Sequence, residues 1–252
     1  MPLFPPLLSL RLALALVLAL LAGPVLAGPW PRAEDATFLS LSAERDREDN
    51  SYISLYGEYG MTPRSTLGFE LGHASAGENS VILWLQRALD DGEGQSRLTV
   101  SLGAGMLERD GVYLPVGQIG GAWGRGWDSI PGLRALPGGG WVGLEARVKV
   151  AGAMKDQKAI ERLSGSGAGI LSYITPETTT KAELTLGWHA LASTMLIQQL
   201  QFEDRDDTGF SSKLSVSAVR DLAGPAKIEL GVIAPLSGKS EPAVKLGTWF
   251  QF

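Results

Sequence analysis

The chain has 252 residues, no cysteine and a net charge of -5. The lack of cysteine excludes disulfides, zinc–thiolate sites, iron–sulfur clusters and cysteine nucleophiles. The negative net charge argues against nucleic acid as a partner, because binding phosphates needs a basic surface. The 32 glycines are typical of tight turns and crowded packing and disfavour a helical protein.

The N-terminal segment has the order of a secretory signal. Arg11 precedes an apolar run over residues 12–22, and small residues lead up to Ala27. This order predicts a signal peptide over residues 1–27 that is cleaved after Ala27. The alternative is a membrane anchor, but the run is shorter than the roughly 20 apolar residues that span a bilayer. The mature chain, residues 28–252, is then one domain.

Residues 28–35 are predicted to be a short flexible lead, and strands follow it. Apolar and polar side chains then alternate, as expected when successive side chains point to opposite faces. The stretch 81–89 is apolar on both faces, and its position between two clear strands favours a strand. The strands predicted in the first half of the chain are 37–45, 52–59, 66–72, 81–89, 97–106 and 112–121.

The second half of the chain repeats this pattern after a connection rich in Gly and Pro at 124–140. Residues 154–176 are harder to interpret and are predicted to be mostly a long loop, with room for some local strand. The strands predicted in the second half are 142–150, 181–189, 194–203, 210–218, 227–234 and 244–252. This gives twelve strands, or thirteen if the long loop contains one.

The closing strand has one apolar face and ends on an aromatic residue. The apolar face carries Val244, Leu246, Thr248, Phe250 and Phe252. This strand resembles the closing strand of bacterial outer-membrane β-barrels, whose terminal aromatic is an assembly signal. The resemblance implies that Phe250 and Phe252 form that signal and that the barrel assembly machinery is a partner.

Two folds have strands in which apolar and polar side chains alternate in this way. A soluble antiparallel sandwich buries its apolar face, whereas a membrane barrel turns that face to lipid. The signal peptide and Phe252 favour the barrel, and Tyr59, Trp188, Trp249 and Phe250 suit interfacial girdles. Because bacterial single-chain barrels have even strand numbers, twelve strands are favoured, with both chain ends on the periplasmic side. The predicted fold is therefore an all-β, antiparallel, up-and-down transmembrane β-barrel in contact with outer-membrane lipid.

The turn and strand at residues 56–68 add a family resemblance. Together with residues 184–188 and 246–252, they are similar to a pattern in uncharacterised proteobacterial outer-membrane β-barrel proteins. The resemblance implies the fold and a location in the outer membrane, and it implies no activity.

Charged side chains on the polar face are the candidate lumen lining. One interpretation is a pore lining that selects solutes, and the other is a lumen filled with ion pairs that neutralise each other. The predicted lining residues are Glu70, Arg97, Glu145, Arg147, Lys149, Lys181, Glu183, Lys213, Lys227, Glu229 and Lys245.

A second candidate site is the His-x-Ser at His73 and Ser75, with Glu70 and Glu78 nearby. A serine hydrolase needs a base within reach of the hydroxyl and an acid that orients the base. Outer-membrane lipid A deacylases show a similar short pattern, but near the end of a smaller barrel. Lipid hydrolysis is therefore an alternative function.

The sequence favours a passive role: a narrow channel, or a transport accessory, for small polar solutes. The alternatives are the lipid hydrolase and a structural barrel without transport. We expect no catalytic activity, cofactor or metal. The solute and the oligomeric state do not follow from the sequence.

Overall fold

The computed structural model describes residues 28–154 and 174–252. Over these residues the chain forms a closed barrel of twelve antiparallel strands, as the sequence predicted. Each strand pairs with its neighbours in sequence, and β1 pairs with β12. The predicted signal peptide, residues 1–27, lies outside the described residues. The strands are β1 Thr37–Asp46, β2 Ser51–Thr62, β3 Ser65–Ala74, β4 Glu78–Ala88, β5 Ser96–Arg109, β6 Val112–Gly126, β7 Gly140–Met154, β8 Ile174–Leu191, β9 Thr194–Arg205, β10 Gly209–Asp221, β11 Ala226–Ser237 and β12 Ala243–Gln251.

The largest difference from the predicted strands is in β8, which begins at Ile174. Pro176 therefore lies in a strand, opposite Gly152, where the sequence predicted a loop. A proline is tolerated close to the start of a strand, where its missing N–H removes few ladder hydrogen bonds. The rest of the predicted loop, residues 155–173, lies outside the described residues. β6 also runs past its predicted end, because its glycines hide the alternation of faces.

The outer face of the barrel is apolar. Leu83, Leu102 and Ile119 are 58%, 69% and 61% exposed, and large apolar side chains on other strands are similarly exposed. A soluble sandwich would bury this face, so that alternative is wrong. So large a continuous apolar surface is stable only against lipid.

The barrel has two rims. Thr37 and Phe252 exchange two backbone hydrogen bonds of 3.0 Å at one rim, which we call the proximal rim. The opposite end, with turns 47–50, 75–77, 206–208 and 238–242, is the distal rim. The connection from β6 to β7 lies at the proximal rim and contains two short 3-10 helices, Trp127–Ser129 and Leu133–Ala135. None of the helices in the described part of the chain is long and apolar enough to span a membrane.

Three of the four predicted girdle aromatics lie on the outer face near the proximal rim: Tyr59, Trp188 and Phe250. Trp249 does not. It has the same strand parity as Lys245, points into the lumen, and its ring centroid lies 5.6 Å from that of Phe38. Its assignment to the girdle was wrong, because alternation assigns a face more strongly than residue type does.

Apolar side chains fill the lumen beside the proximal rim. This proximal core consists of Phe38, Trp141, Met195, Ile197, Val219 and Trp249. A second apolar cluster that includes Ile82 and Trp84 lies further along the barrel. Both of these side chains belong to β4 and point inward, whereas the leucines of β4 point outward. This explains why β4 is apolar on both faces.

Candidate functional site

A cavity of about 510 Å³ occupies the distal half of the lumen, and we call it the vestibule. It reaches the turns of the distal rim at Asp206 and Ser240, and Ile82 and Val116 line it as well. In the described part of the chain nine carboxylates line it: Glu44, Glu70, Glu78, Glu145, Glu177, Glu183, Glu203, Asp206 and Asp207. Six cationic side chains of residues 28–154 and 174–252 line it: Arg109, Arg147, Lys149, Lys181, Arg205 and Lys213.

The register of β7 and β8 places like charges opposite each other. Glu145 faces Glu183, and Arg147 faces Lys181. Like charges in directly opposed positions are destabilising unless other partners offset them. Arg147 Nε lies 2.7 Å from Glu145 Oε1, and Lys181 Nζ lies 2.9 Å from Glu203 Oε2.

Uncharged amide and hydroxyl groups donate hydrogen bonds to the remaining carboxylate of this ladder. Glu183 accepts hydrogen bonds from Gln199 Nε2 at 2.8 Å and Gln201 Nε2 at 3.0 Å, and from the Thr185 hydroxyl at 2.8 Å. The β9 glutamines are thus part of the lumen lining. They are absent from the lining predicted from the sequence, which contains charged residues alone.

Some ion pairs cross the lumen. Arg147 on β7 lies 3.8 Å from Glu70 on β3. At the distal rim, Arg109 on β5 lies 3.1 Å from Glu177 on β8, and Arg205 on β9 lies 3.4 Å from Glu78 on β4. The mouth of the vestibule is therefore a network of charges that belong to strands three to five positions apart in the barrel.

The distal turn contributes a carboxylate to this network. Arg205 Nε lies 2.9 Å from Asp207 Oδ1, and its Nη2 donates to Oδ2 at 3.0 Å. This bidentate pairing, assisted by the charge of Arg109, lowers the pKa of Asp207. Asp207 therefore stays ionised throughout the neutral range.

The eleven predicted lining residues all have inward strand parity, but they divide into two groups. Seven line the vestibule: Glu70, Glu145, Arg147, Lys149, Lys181, Glu183 and Lys213. The other four, Arg97, Lys227, Glu229 and Lys245, do not line it.

These four residues make local pairs. Arg97 and Lys227 bind Asp90 and Asp221 beside the proximal rim, at 2.8 and 2.6 Å. Glu229 is buried, accepts a hydrogen bond from Trp249 Nε1 at 3.0 Å and pairs with Lys245 at 3.0 Å. These contacts join strands and turns to each other, and they lie outside the vestibule.

Residues 28–35, which were predicted to be a flexible lead, differ most from the sequence prediction of the site. Residues 28–36 enter the lumen at the proximal rim, where Arg32 is buried and pairs with Glu58. Trp30 packs against the proximal core. The sequence signal for this placement was the presence of Trp30 and Arg32 in so short a segment.

His73 and Ser75 make separate contacts. His73 lies on the outer face, with Nδ1 2.6 Å from Asn79 Oδ1, and the Ser75 hydroxyl accepts the Ser51 N–H at 2.9 Å. Glu70 and Glu78 have the opposite strand parity and point into the lumen. Among the described residues no hydrogen bond joins His73 to Ser75.

The sequence matches no family model and no curated protein. Solved structures are similar to the barrel. The NanC porin shares 10% identity over 84% of this chain and 98% of its own, with a TM-score of 0.55. A KdgM porin in complex with disordered oligogalacturonate shares 9% identity over 85% and 99%, also with 0.55.

The COG4313 outer membrane channel from Pseudomonas putida F1 shares 12% identity over 91% of this chain and 100% of its own, with a TM-score of 0.56. Identities this low show the fold alone. The chain therefore has the closed antiparallel barrel fold of bacterial outer-membrane channels.

Proposed function

We propose that the protein is a passive outer-membrane channel for small polar solutes in a Gram-negative bacterium. The observation that carries this proposal is the polar vestibule, since a barrel built only for rigidity needs no charged cavity. We assign the distal rim to the cell exterior and the proximal rim to the periplasm, as is usual for barrels with both chain ends at one rim. The pattern at residues 56–68 supports membership of the uncharacterised proteobacterial barrel proteins.

The charge balance of the vestibule favours cations. Among the described residues, nine carboxylates and six cationic side chains leave the vestibule lining with a net charge of -3 when all are ionised. A narrow cavity with low-dielectric walls focuses this potential and raises the local concentration of counter-ions. Small cations and cationic polar solutes are therefore the solutes that this channel favours.

Conductance measurements test both parts of this function. We expect the refolded mature chain to give discrete current steps in planar bilayers, and its reversal potential in a KCl gradient to indicate a preference for K⁺. Lys149 lines the vestibule and has no ion pair among the described residues, so Lys149→Glu changes the lumenal charge without breaking a pair. This variant should prefer K⁺ more strongly.

A matched control is Arg45→Glu, which makes the same change of charge in a side chain that is 65% exposed and pairs with Asp49 near the distal turn. Its reversal potential should stay close to that of the wild type. Anion preference in the wild type, or equal shifts in both variants, would contradict a filter of lumenal carboxylates.

A structural barrel without transport is the second candidate function. Its support is the packed proximal core together with residues 28–36, which occupy the lumen between the vestibule and the periplasm. Complete absence of current steps in the wild type and in both variants would favour this function over the channel.

A further inference from the structure

We propose that residues 28–36 are a removable plug that closes the proximal end of the lumen, and that Arg32 binds a guanidinium site built into the barrel wall. This role presupposes the proposed channel function, because a plug has meaning only where solutes pass. Four features of the lumen support it: the path of the plug, the shape of the wall, the contacts of Arg32 and one unsatisfied donor.

The plug is joined to the barrel by a sharp turn. Asp35 N donates to Gly60 O at 2.9 Å and Gly60 N donates to Ala36 O at 3.0 Å, so the segment leaves β1 in register with β2. Ala36 N then donates to Ala33 O at 3.0 Å, and Asp35 has a φ of 62°. This turn directs the preceding residues into the lumen, and a change at one residue in the left-handed region would direct them out again.

The wall opposite the plug has glycines where any side chain would collide with it. A Cβ on Gly60 would lie 1.9 Å from Ala33 O, and a Cβ on Gly124 would lie 2.2 Å from Pro29 Cγ. Neither glycine has a positive φ, so backbone conformation does not require them. The space that they leave is occupied by the plug.

Arg32 makes the most specific contacts of the plug. Its backbone N–H donates to Thr66 Oγ1 at 2.8 Å, and its Nε donates to Glu58. Its guanidinium carbon lies 4.4 Å from the centroid of the Phe38 ring. A carboxylate and an aromatic face together recognise a guanidinium by charge and by stacking.

The site is held in place from the wall as well. Tyr56 donates its hydroxyl hydrogen to Glu58 Oε1 at 2.5 Å, which leaves Oε2 to accept from Arg32. Glu58 and Tyr56 both belong to β2, so the site exists on the barrel whether or not the plug is bound. The chemical class that fits it is a guanidinium group.

One donor of the plug makes its bound state less stable than full pairing would. Arg32 Nη2 is buried without a hydrogen-bond partner among the described residues. Buried donors in a permanent core are nearly always satisfied, and an unsatisfied one reduces the stability of the bound state. Withdrawal of the plug would hydrate this donor together with Glu58.

Conductance of matched variants tests the plug. Arg32→Ala and Glu58→Gln each remove one side of the buried pair, whereas Arg45→Ala removes a guanidinium that pairs with Asp49 at 2.9 Å on the exposed surface. We expect a several-fold rise in open probability for the first two and no change for the third. If Arg32→Ala and Glu58→Gln conduct as the wild type does, the plug is wrong and the channel stands.

Added guanidinium gives a sharper test of the site. In Arg32→Ala the vacated position opposite Glu58 should bind free guanidinium, and in Glu58→Gln the carboxylate is missing. Guanidinium ion should therefore reduce the excess current of the first variant and leave that of the second unchanged. Equal effects on both would overturn the guanidinium site.

Binding of the plug can be measured without any current. The peptide bond after Arg32 is a trypsin site, and its burial should protect it in the folded wild type. Glu58→Gln should release the segment and allow loss of residues 28–32, seen as a change in mass. Cleavage of the wild type at the same rate would overturn the docked segment. Protection with no current in any variant would leave the segment docked but contradict the channel, and with it the role of the segment as a plug.

A disulfide tests the plug if the single variants fail to fold. A Cβ on Gly143 would lie 3.5 Å from Pro29 Cδ, so the two positions are neighbours across the lumen where a cross-link can be tried, and the chain has no cysteine of its own. Oxidised Pro29→Cys/Gly143→Cys should stay closed, and reduction should restore opening. Current that does not change on oxidation would overturn the plug.

Discussion

The assignment of the outer face to lipid leads to a test at Leu102. This residue lies in the middle of β5, is 69% exposed and has Leu85 and Ile119 as its cross-strand neighbours on the same face. In a water-soluble protein, replacement of so exposed a side chain changes stability by about 0.5 kcal/mol or less. At the midplane of a bilayer, an arginine on the lipid face costs about 2–4 kcal/mol.

We therefore expect Leu102→Arg to lower the free energy of unfolding by about 2–4 kcal/mol. The assay is urea unfolding of the barrel refolded into phospholipid vesicles, followed by tryptophan fluorescence. Leu236→Arg is the matched control, because Leu236 is 58% exposed but lies one residue from the distal end of β11. Near the interface the same substitution should cost about 0–1 kcal/mol.

The difference between these two variants carries the test. If Leu102→Arg and Leu236→Arg destabilise the barrel equally, or if neither costs more than about 0.5 kcal/mol, the outer face does not contact a hydrocarbon layer. The assignment of the outer face of every strand to lipid would then be refuted, because strand pairing turns the same face of the sheet outward on all neighbouring strands.

Two further predictions use the same unfolding assay. Gly68→Ala should destabilise the barrel by about 1–3 kcal/mol, because its Cβ would lie 2.1 Å from the Trp84 ring, whereas Gly117→Ala, which meets nothing within 4 Å, should not. Partial burial raises the pKa of Asp90, but hydrogen bonds, above all from the Leu98 N–H at 2.7 Å, outweigh it and hold the pKa below the ordinary value of an aspartate. A lowered pKa stabilises the fold above that value, so Asp90→Ala should cost about 1 kcal/mol at neutral pH, with the difference from wild type vanishing in acid. If the difference in stability between Asp90→Ala and the wild type stayed constant from neutral to acid pH, an ionised Asp90 in this turn would be contradicted.

Much of the fold follows from alternation along the sequence. A strand sends side chains to opposite faces with a period of two, so local sequence determines which residues share a face. This was sufficient to predict twelve strands, the closing strand and the parity of residues such as Glu145 and Lys181. It failed where the pattern is hidden by glycine, as at the end of β6, and where residue type was weighed above parity, as at Trp249.

The contents of the lumen depend on contacts that have no local pattern. The pairs Arg147–Glu70 and Arg109–Glu177 join strands that are not neighbours in the barrel, so they require closure with a particular radius. The same holds for Arg32, whose partner Glu58 lies 26 residues further along the chain. Sequence determined the strands and their two faces, because these are set by neighbouring residues. Only the tertiary structure decided that the lead fills the proximal lumen and that charges meet across the vestibule, because both depend on which walls closure brings together.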